Sequence, residues 1–283
     1  MEGRIASTTS YQITKPYKLK LRKANPSSTA TKITLFVLFA LTVYGLLNLN
    51  SKDVNLITAI KDFLINLKKM FFELKYTHFT LTEALYQMAV TLGLAFLTTL
   101  MGSFFALFLG LCAAQNLSNK RVSTIIKAFV AFIRAVPTVL WVLVFAVAAG
   151  LGSVAAVIGM TFHTIGYLIK AYSESFEEVD KGTIEALKAS GANWWQIVFQ
   201  AILPSSITYI LSWTFIRFEI NFTNAVAMGA AAGAGGIGFE LFMASGFYFD
   251  IREVGFIAYL ILIVAIILEV LSTKVKNKFL VNA

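Results

Sequence analysis

Charge is scarce in this sequence of 283 residues, of which only 14% are Asp, Glu, Lys or Arg. Soluble domains carry roughly 25% charged residues, so the chain has too little polar surface to cover a water-soluble fold of this size. Hydrophobic residues make up 58%, and the charges cluster between long apolar runs. The net charge of +9 therefore indicates orientation in a membrane rather than nucleic-acid binding.

Cysteine and histidine are rarer still, with one and two residues. Cys112 lies in an apolar run and can form neither a disulfide nor a cysteine metal site within the chain. His78 and His163 lie far apart in the sequence, so we expect no metal centre, and His163 is interpreted as a hydrogen-bonded packing residue rather than a proton relay.

Catalytic patterns are also missing. The sequence has no Gly-x-x-x-x-Gly-Lys-Ser/Thr phosphate-binding loop and no clustered histidines or paired acids at one membrane depth. We therefore expect that the chain is not itself an enzyme and that any ATP hydrolysis belongs to a partner.

Six apolar segments are long enough to cross a hydrocarbon core of about 30 Å, which takes about 20 helical residues. They cover residues 33–49, 84–114, 125–149, 154–172, 204–228 and 254–273. The first lacks a small-x-small cleavage site, which predicts an anchor helix rather than a removed signal peptide. The third contains Arg134 and Pro137, and its membrane part should begin near Pro137, because proline fits the first turn of a helix.

Lysines and arginines predict the orientation of these spans. They predominate in the tail 1–32, in the turn at 120–127 and in the tail after the last span, and such segments are usually cytoplasmic. Six spans with both termini inside satisfy all three. The connector 50–83 then lies outside, as an amphipathic helix on the membrane or against the bundle, or as a solvated connector helix.

The segment between the fourth and fifth spans, residues 173–203, is predicted to be cytoplasmic and to form two short helices bent at a glycine. Asp180 or Thr183 is expected to cap a first helix beginning near Ile184. Gly191 is expected to end that helix with a positive φ angle, and Asn193 to cap the second helix.

Apolar residues lie along one side of this bent pair of helices. Their presence on a loop favours a docking surface for a partner, although the same side could pack under the chain's own bundle. The residues concerned are Ile184, Leu187, Ala189, Trp194 and Ile197. Trp194 and its neighbour Trp195 are equally interpretable as interfacial anchors or as part of the docking face.

The run Glu185-Ala186-Leu187-x-x-x-Gly191, followed by Ile202-Leu203-Pro204, resembles the coupling motif of ABC importer permeases. Leu187 stands where the family has alanine, and Ala201 where isoleucine is usual. Other stretches narrow the resemblance to the phosphonate-type permeases, over roughly residues 84–278. They are Arg134-Ala135-Val136-Pro137, His163-Thr164-Ile165-Gly166, Glu177-Glu178-Val179-Asp180, Arg217-Phe218-Glu219-Ile220-Asn221 and Gly233-Ala234-Gly235-Gly236-Ile237-Gly238.

The resemblance implies an all-α membrane protein in which a five-helix type I permease core, 84–278, follows the N-terminal anchor. It implies a homodimer in the cytoplasmic membrane, two cytoplasmic ATPase subunits that bind ATP and Mg, and an external substrate-binding protein. It also implies that residues 185–191 dock into the ATPase and that Pro204 connects them rigidly to the fifth span. No cofactor is expected on this chain.

Arg217 and Glu219 lie about 20 Å beyond Pro204 along the fifth span, where an unpaired charge is costly. They are two residues apart, point to different sides of the helix and are each expected to pair with another span. A structural pair is the favoured interpretation, and attraction of an anion by Arg217 on the translocation path is the alternative. Asn221 is expected to hydrogen-bond across helices.

Gly233, Gly235 and Gly238 match the spacing of a dinucleotide fingerprint, but they follow a membrane helix and not a strand. With Gly236, they predict close backbone packing or an irregular bend. The resemblance places this stretch near the gate of the path. For Arg134, at the end of its span, we expect snorkelling or a salt bridge to residues 173–203, which we call the coupling segment, with an anion site as the lesser alternative.

The predicted function is an ATP-driven import permease, and the resemblance implies a small oxyanion as substrate, such as phosphonate, phosphite or a phosphate ester. Two alternatives remain open. One is a permease of the same superfamily for another small solute, such as an amino acid or a vitamin precursor. The other is an ion-coupled secondary transporter, for which only Glu219 offers an acidic residue at mid-membrane depth.

Overall fold

The computed structural model describes residues 26–48 and 55–280, and every regular element in these ranges is a helix. The chain divides into two compact units, 1–59 and 60–283. Most of the predicted tail 1–32 and the start of the connector 50–83 lie outside the described residues. Eleven α-helices are described: α1 Pro26–Asn48, α2 Leu56–Phe72, α3 Leu81–Ala113, α4 Lys120–Ala135, α5 Thr138–Ala149, α6 Ser153–Glu177, α7 Lys181–Ala189, α8 Trp194–Ile197, α9 Leu203–Ala232, α10 Ile237–Phe242 and α11 Ile251–Leu280.

Five of the described helical stretches are long and apolar enough to cross a membrane, and a bent pair brings the number to six. The five are Ser28–Asn48, Leu81–Ala113, Ser153–Glu177, Trp194–Ala232 and Ile251–Lys274. They match five of the six predicted spans. Each begins earlier than predicted, the first two end one residue early, and the other three end later. The helix α1, in the first unit, begins at Pro26 rather than at residue 33.

The predicted third span, 125–149, is not one helix. Helix α4 ends at Ala135, and α5 begins at Thr138 after a bend of 91°. Val136 between them is extended, with φ −98° and ψ 126°. Proline has no backbone N–H and disfavours the helical conformation in the residue before it, so Pro137 breaks the helix at this point. As predicted, the second half begins directly after Pro137.

Two hydrophobic clusters fill the bundle of the second unit. One lies between α3, α9, α10 and α11 and contains Met88, Phe222 and Ile237. The other lies at the end of α6 next to α7 and α8 and contains Phe176 and Ile197. The second cluster fixes the coupling segment to the bundle.

The end of the connector packs on α11, which agrees with the prediction of a helix against the bundle. Tyr259 donates a hydrogen bond to the carbonyl oxygen of Phe71 at 3.2 Å, and Arg252 pairs with Glu73 at 2.8 Å. This hydrogen bond to Arg252 holds the pKa of Glu73 below its ordinary value.

Candidate functional site

The coupling segment begins with a helix cap that the sequence predicts. The Asp180 side chain accepts a hydrogen bond from the Thr183 backbone N–H at 2.9 Å, and α7 follows from Lys181. This bond, with a second from the Thr183 hydroxyl, lowers the pKa of the Asp180 carboxyl. The helix starts three residues before Ile184. Residues 173–177 are not loop either, because α6 continues to Glu177.

The bend between the two short helices is also as predicted. Gly191 follows the end of α7 with φ +84° and has open space where a Cβ atom would lie. The backbone conformation, not crowding, therefore favours glycine here. Asn193 caps α8 by accepting a hydrogen bond from the Gln196 N–H at 2.9 Å, and Gln196 accepts one from the Asn193 N–H at 2.7 Å.

The second short helix is not a separate element. From α8 the chain passes through a π-helical turn, Val198–Ile202, into α9, so that Trp194–Ala232 forms one continuous helical stretch. Pro204 therefore lies inside this stretch rather than at its start. A proline ring collides with the carbonyl four residues earlier in a regular α-helix, and the wider π turn just before Pro204 accommodates it. The coupling motif residues Ile202, Leu203 and Pro204 form this junction.

The apolar side of the coupling segment packs on the chain's own bundle, which corrects the prediction of a docking face there. Ile184 and Ile197 are each only 3% exposed, and Leu187 and Trp194 pack against the same cluster. The Trp194 indole donates a hydrogen bond to the Leu117 carbonyl oxygen at 3.0 Å. The predicted docking side is therefore buried at Ile184 and Ile197, half-buried at Leu187 and Trp194, and exposed only at Ala189.

The opposite side of α7 is open to solvent. Glu185, Ala186, Lys188 and Ala189 are exposed, and we call them the exposed face of the coupling segment. Trp195 is also exposed, with its ring stacked beside that of Phe199. The two adjacent tryptophans thus have different environments, which the sequence did not distinguish.

Arg217 lies at the centre of a buried polar network. The side chain is 2% exposed, and its Nε and Nη2 atoms donate to the Thr164 hydroxyl of α6 at 3.2 and 3.1 Å. Thr164 donates to the Asn221 side-chain oxygen at 3.1 Å, and the Asn221 amide donates to the Thr99 hydroxyl of α3 at 2.9 Å. The network joins α3, α6 and α9, and it confirms the predicted hydrogen bonds of Asn221 across helices.

Arg217 pairs with another span as expected, but through the neutral Thr164 hydroxyl of α6, whereas the Glu219 side chain has no partner on another span among the described residues. Among the described residues, neither side chain forms an ion pair. Glu219 is half-buried and lies outside the hydrogen-bond network. Arg217 instead lies over the Tyr167 ring, with its Cζ atom 4.9 Å from the ring centroid. The arginine is thus a buried cation supported by neutral groups alone.

Arg134 approaches the same ring from α4, with its Cζ atom 6.0 Å from the Tyr167 centroid. It is exposed and forms no salt bridge to the coupling segment in the described structure, contrary to one of the two predicted roles. Sequence reasoning missed Tyr167 and Thr164. A signal was available for Tyr167 but not for Thr164, since His163, Tyr167, Lys170 and Glu174 recur at intervals of three or four residues along one face of α6.

The glycine-rich stretch forms the expected irregular bend. Gly233 ends α9 with φ +61°, and Gly235 and Gly236 also have positive φ angles. Gly238 packs so closely on the Val226 carbonyl that a Cβ atom would collide with its oxygen. The backbone N–H of Ile237 donates to the Thr91 hydroxyl at 2.9 Å. Close packing against α3 and α9 accounts for Gly236 and Gly238, whereas the positive φ angles alone account for Gly233 and Gly235, which have open space where a Cβ atom would lie. A role in gating stays a prediction.

The two histidines differ from expectation. The Nδ1 atom of His163 is buried without a hydrogen-bond partner among the described residues, so the hydrogen-bonded interpretation is wrong for that atom. His78 lies next to Asp250 and Glu253, and one ligand atom from each falls within 4.8 Å of the others. The three residues are too far apart along the chain for a sequence pattern to indicate this cluster.

Glu253 ties the connector to α11. It is fully buried and accepts hydrogen bonds from the backbone N–H groups of Thr77 and His78, each at 2.9 Å. Its second oxygen lies 2.7 Å from His78 Nδ1. Since both oxygens already have partners, we interpret the cluster as a structural link.

Known proteins resemble this chain over most of the bundle. The family model "Binding-protein-dependent transport system inner membrane component" matches residues 102–280. The phosphate-import permease protein PhnE of Mycolicibacterium smegmatis is 30% identical over 192 residues, which cover 67% of this chain but only 36% of that protein. The phosphite transport system permease protein PtxC of Stutzerimonas stutzeri is 30% identical over 190 residues, 67% of this chain and 68% of that protein.

A solved structure shares the fold. The inward-facing MetNI methionine ABC transporter contains a chain that superposes with a TM-score of 0.62 at 21% identity. The match covers 69% of this chain and 95% of that chain.

Proposed function

Because the chain belongs to the family of binding-protein-dependent transport system inner membrane components, we propose that it is the membrane-spanning permease subunit of an ATP-driven ABC importer. Six spans with both termini in the cytoplasm fit the distribution of basic residues. In this arrangement the coupling segment faces the cytoplasm and the connector lies outside.

The coupling segment carries the proposal. Its first helix is capped at both ends and held against the bundle by Ile184, while its exposed face projects Glu185 and Ala186 away from it. Helix α8 runs without a break into the long helix of Arg217. A push on α8 would therefore reach the middle of the membrane through continuous helix, as a rigid coupling element requires.

The assembly that follows from this role is a homodimer with two cytoplasmic ATPase subunits and an external substrate-binding protein. ATP and Mg would bind to the ATPases, and this chain would contribute the translocation path and the coupling segment. The coupling segment of each copy would dock through Glu185, Ala186 and Gly191 into an ATPase cleft. Gly233, Gly235, Gly236 and Gly238 would form part of the gate, and Arg217, Glu219 and Asn221 would lie near the path.

The substrate we propose is a small phosphorus oxyanion. Arg217 supports this choice, because a buried guanidinium without a carboxylate partner favours binding of an anion. The relatives named for phosphate import and phosphite transport point to the same chemistry.

The test is copurification of the ATPase with full-length permease variants, together with ATP-dependent uptake. Glu185 is exposed and forms no ion pair among the described residues, so Glu185→Ala should leave thermal stability unchanged. It should nevertheless reduce both ATPase copurification and uptake at least about tenfold, a loss of about 1.4 kcal/mol in the binding free energy.

Glu178 provides the matched control, because it is an exposed carboxylate one helical turn before α7. Glu178→Ala should copurify the ATPase like the wild type. Normal copurification and uptake by Glu185→Ala would contradict the coupling role.

A further inference from the structure

A groove with basic walls runs along α6, between α4 and α9. It comprises one cavity of about 310 Å³ and a second of about 110 Å³, and Arg134, Lys170 and Glu174 line both. Lys127 and Glu177 lie at one end, beside the coupling segment, and Tyr167 and Trp213 lie at the other. We call this feature the basic groove. Its inner end reaches the aromatic ring on which Arg217 lies.

Two of the cations in the basic groove are neutralised by neighbours. Lys127 pairs with Glu177 at 2.8 Å, and Lys170 pairs with Glu174 at 3.6 Å. Within the described residues Arg134 forms no ion pair, and neither does Arg217. The uncompensated positive charge is therefore concentrated on the two guanidinium groups around Tyr167.

Some N–H groups of Arg217 have no hydrogen-bond acceptor among the described residues. Its two hydrogen bonds in the described structure use Nε and Nη2 and share one acceptor, the Thr164 hydroxyl. The Thr164 hydroxyl donates its hydrogen to Asn221. The lone pairs of the Thr164 oxygen are therefore left to accept from Arg217. Nη1 makes no hydrogen bond within the described residues. An anion that approached along the Tyr167 ring would stabilise this buried and unpaired cation electrostatically.

The chemistry of the two arginines selects the anion. A planar guanidinium binds two oxygens of a phosphate-like group at once, and a doubly charged oxyanion gains from two such groups. We propose that Arg134, Tyr167 and Arg217 form a transit site in which the permease itself binds a tetrahedral phosphorus oxyanion. The inference rests on the proposed function and deepens it, since it gives the permease a share in substrate selection.

Trp213 offers a direct readout of binding. It lines the groove, and its ring centroid lies 6.3 Å from that of Tyr167. The chain has four tryptophans, so the Trp213→Phe variant assigns the signal. We would titrate the full-length permease, in nanodiscs of phosphatidylcholine, with phosphite and with methylphosphonate at constant ionic strength.

The expected result is a saturable change in fluorescence that Trp213→Phe abolishes. Arg134→Gln should raise the apparent Kd at least about tenfold, which corresponds to about 1.4 kcal/mol. Arg134 is exposed, so this variant should fold. Arg121→Gln is the matched control, since Arg121 is an exposed arginine in the first turn of the same helix, and its Kd should equal that of the wild type.

The proposal fails if the wild type shows no saturable response, or if Arg134→Gln and Arg121→Gln bind with equal affinity. It also fails if phosphatidylglycerol in the nanodisc changes the fluorescence while free phosphite does not, because the groove then holds a lipid headgroup. No ATPase or binding protein takes part in this titration. A negative result here is therefore distinguishable from a loss of ATPase copurification, which would contradict the proposed function instead.

Discussion

The buried guanidinium of Arg217 donates two hydrogen bonds to the Thr164 hydroxyl of the neighbouring helix α6, at 3.1 and 3.2 Å. One neutral oxygen thus supports a cation far along the fifth span, where an unpaired charge is costly. The same oxygen orients Asn221 and, through it, α3. Thr164 is therefore the residue on which the network depends.

Thr164→Val should destabilise the permease by about 3 kcal/mol, because it removes the one acceptor that Arg217 has among the described residues and leaves the Asn221 side-chain oxygen without its donor. Thr161, three residues earlier on α6, is also buried, but its hydroxyl has no hydrogen-bond partner in the described structure. Thr161→Val should leave the melting temperature unchanged or raise it. Equal melting temperatures for the two variants would refute the proposed importance of Thr164.

Gly238→Ala should lower stability by about 2–3 kcal/mol, since the added methyl group meets the backbone oxygen of Val226, which cannot move without displacing α9. Gly93 is a matched control within α3, because a Cβ atom there meets nothing within 4 Å. Gly93→Ala should be neutral or stabilising by up to about 1 kcal/mol. Thermal denaturation of both variants in the same detergent measures the difference, and similar losses would be inconsistent with the packing at Gly238.

Protonation of Asp180 should loosen α7. Hydrogen bonds from Thr183 hold the pKa of this carboxyl below its ordinary value of 3.8, so the ionised form stabilises the folded state. The contribution is complete above the ordinary pKa and is lost as the pH falls through the lower pKa of the folded protein. Hydrogen exchange of residues 181–189, corrected for the intrinsic rate, should therefore accelerate as the pH falls below the ordinary pKa of 3.8.

Asp180→Asn provides the control for this titration, since asparagine caps helices well but does not titrate in this range. Exchange in this variant should be insensitive to the same change in pH. Acceleration of equal size in both proteins would show that another group is responsible.

The two adjacent tryptophans should respond differently to the same substitution. Trp194→Phe removes the hydrogen bond to Leu117 and leaves a carbonyl oxygen without its donor, at a cost of about 1 kcal/mol. The Trp195 side chain is 53% exposed, so Trp195→Phe should have no measurable effect on stability. Melting temperatures of the two variants decide, and a loss in Trp195→Phe alone would reverse the assignment.

Much of the fold was predictable from local sequence. The spans followed from the length of apolar runs, and Asp180, Gly191 and Asn193 were predicted correctly because a cap or a positive φ depends on residues within four positions. Only one part of the break at Pro137 was predicted. The start of α5 directly after Pro137 follows from the chemistry of proline, whereas the bend of 91° between α4 and α5 depends on how these helices pack on α6.

The sequence by itself determined where helices start and end and which of them are apolar enough to span a membrane. Helix ends depend on hydrogen bonds between near neighbours, and spanning depends on the free energy of transfer from water to lipid. Only the tertiary structure decided that Arg217 meets Thr164 and Tyr167, that Ile184 and Trp194 face the bundle, and that His78 meets Glu253. The contacts of Arg217 and of His78 join residues from 50 to 175 positions apart. They depend on which helices pack together, and a periodic pattern along one helix carries no record of its neighbours.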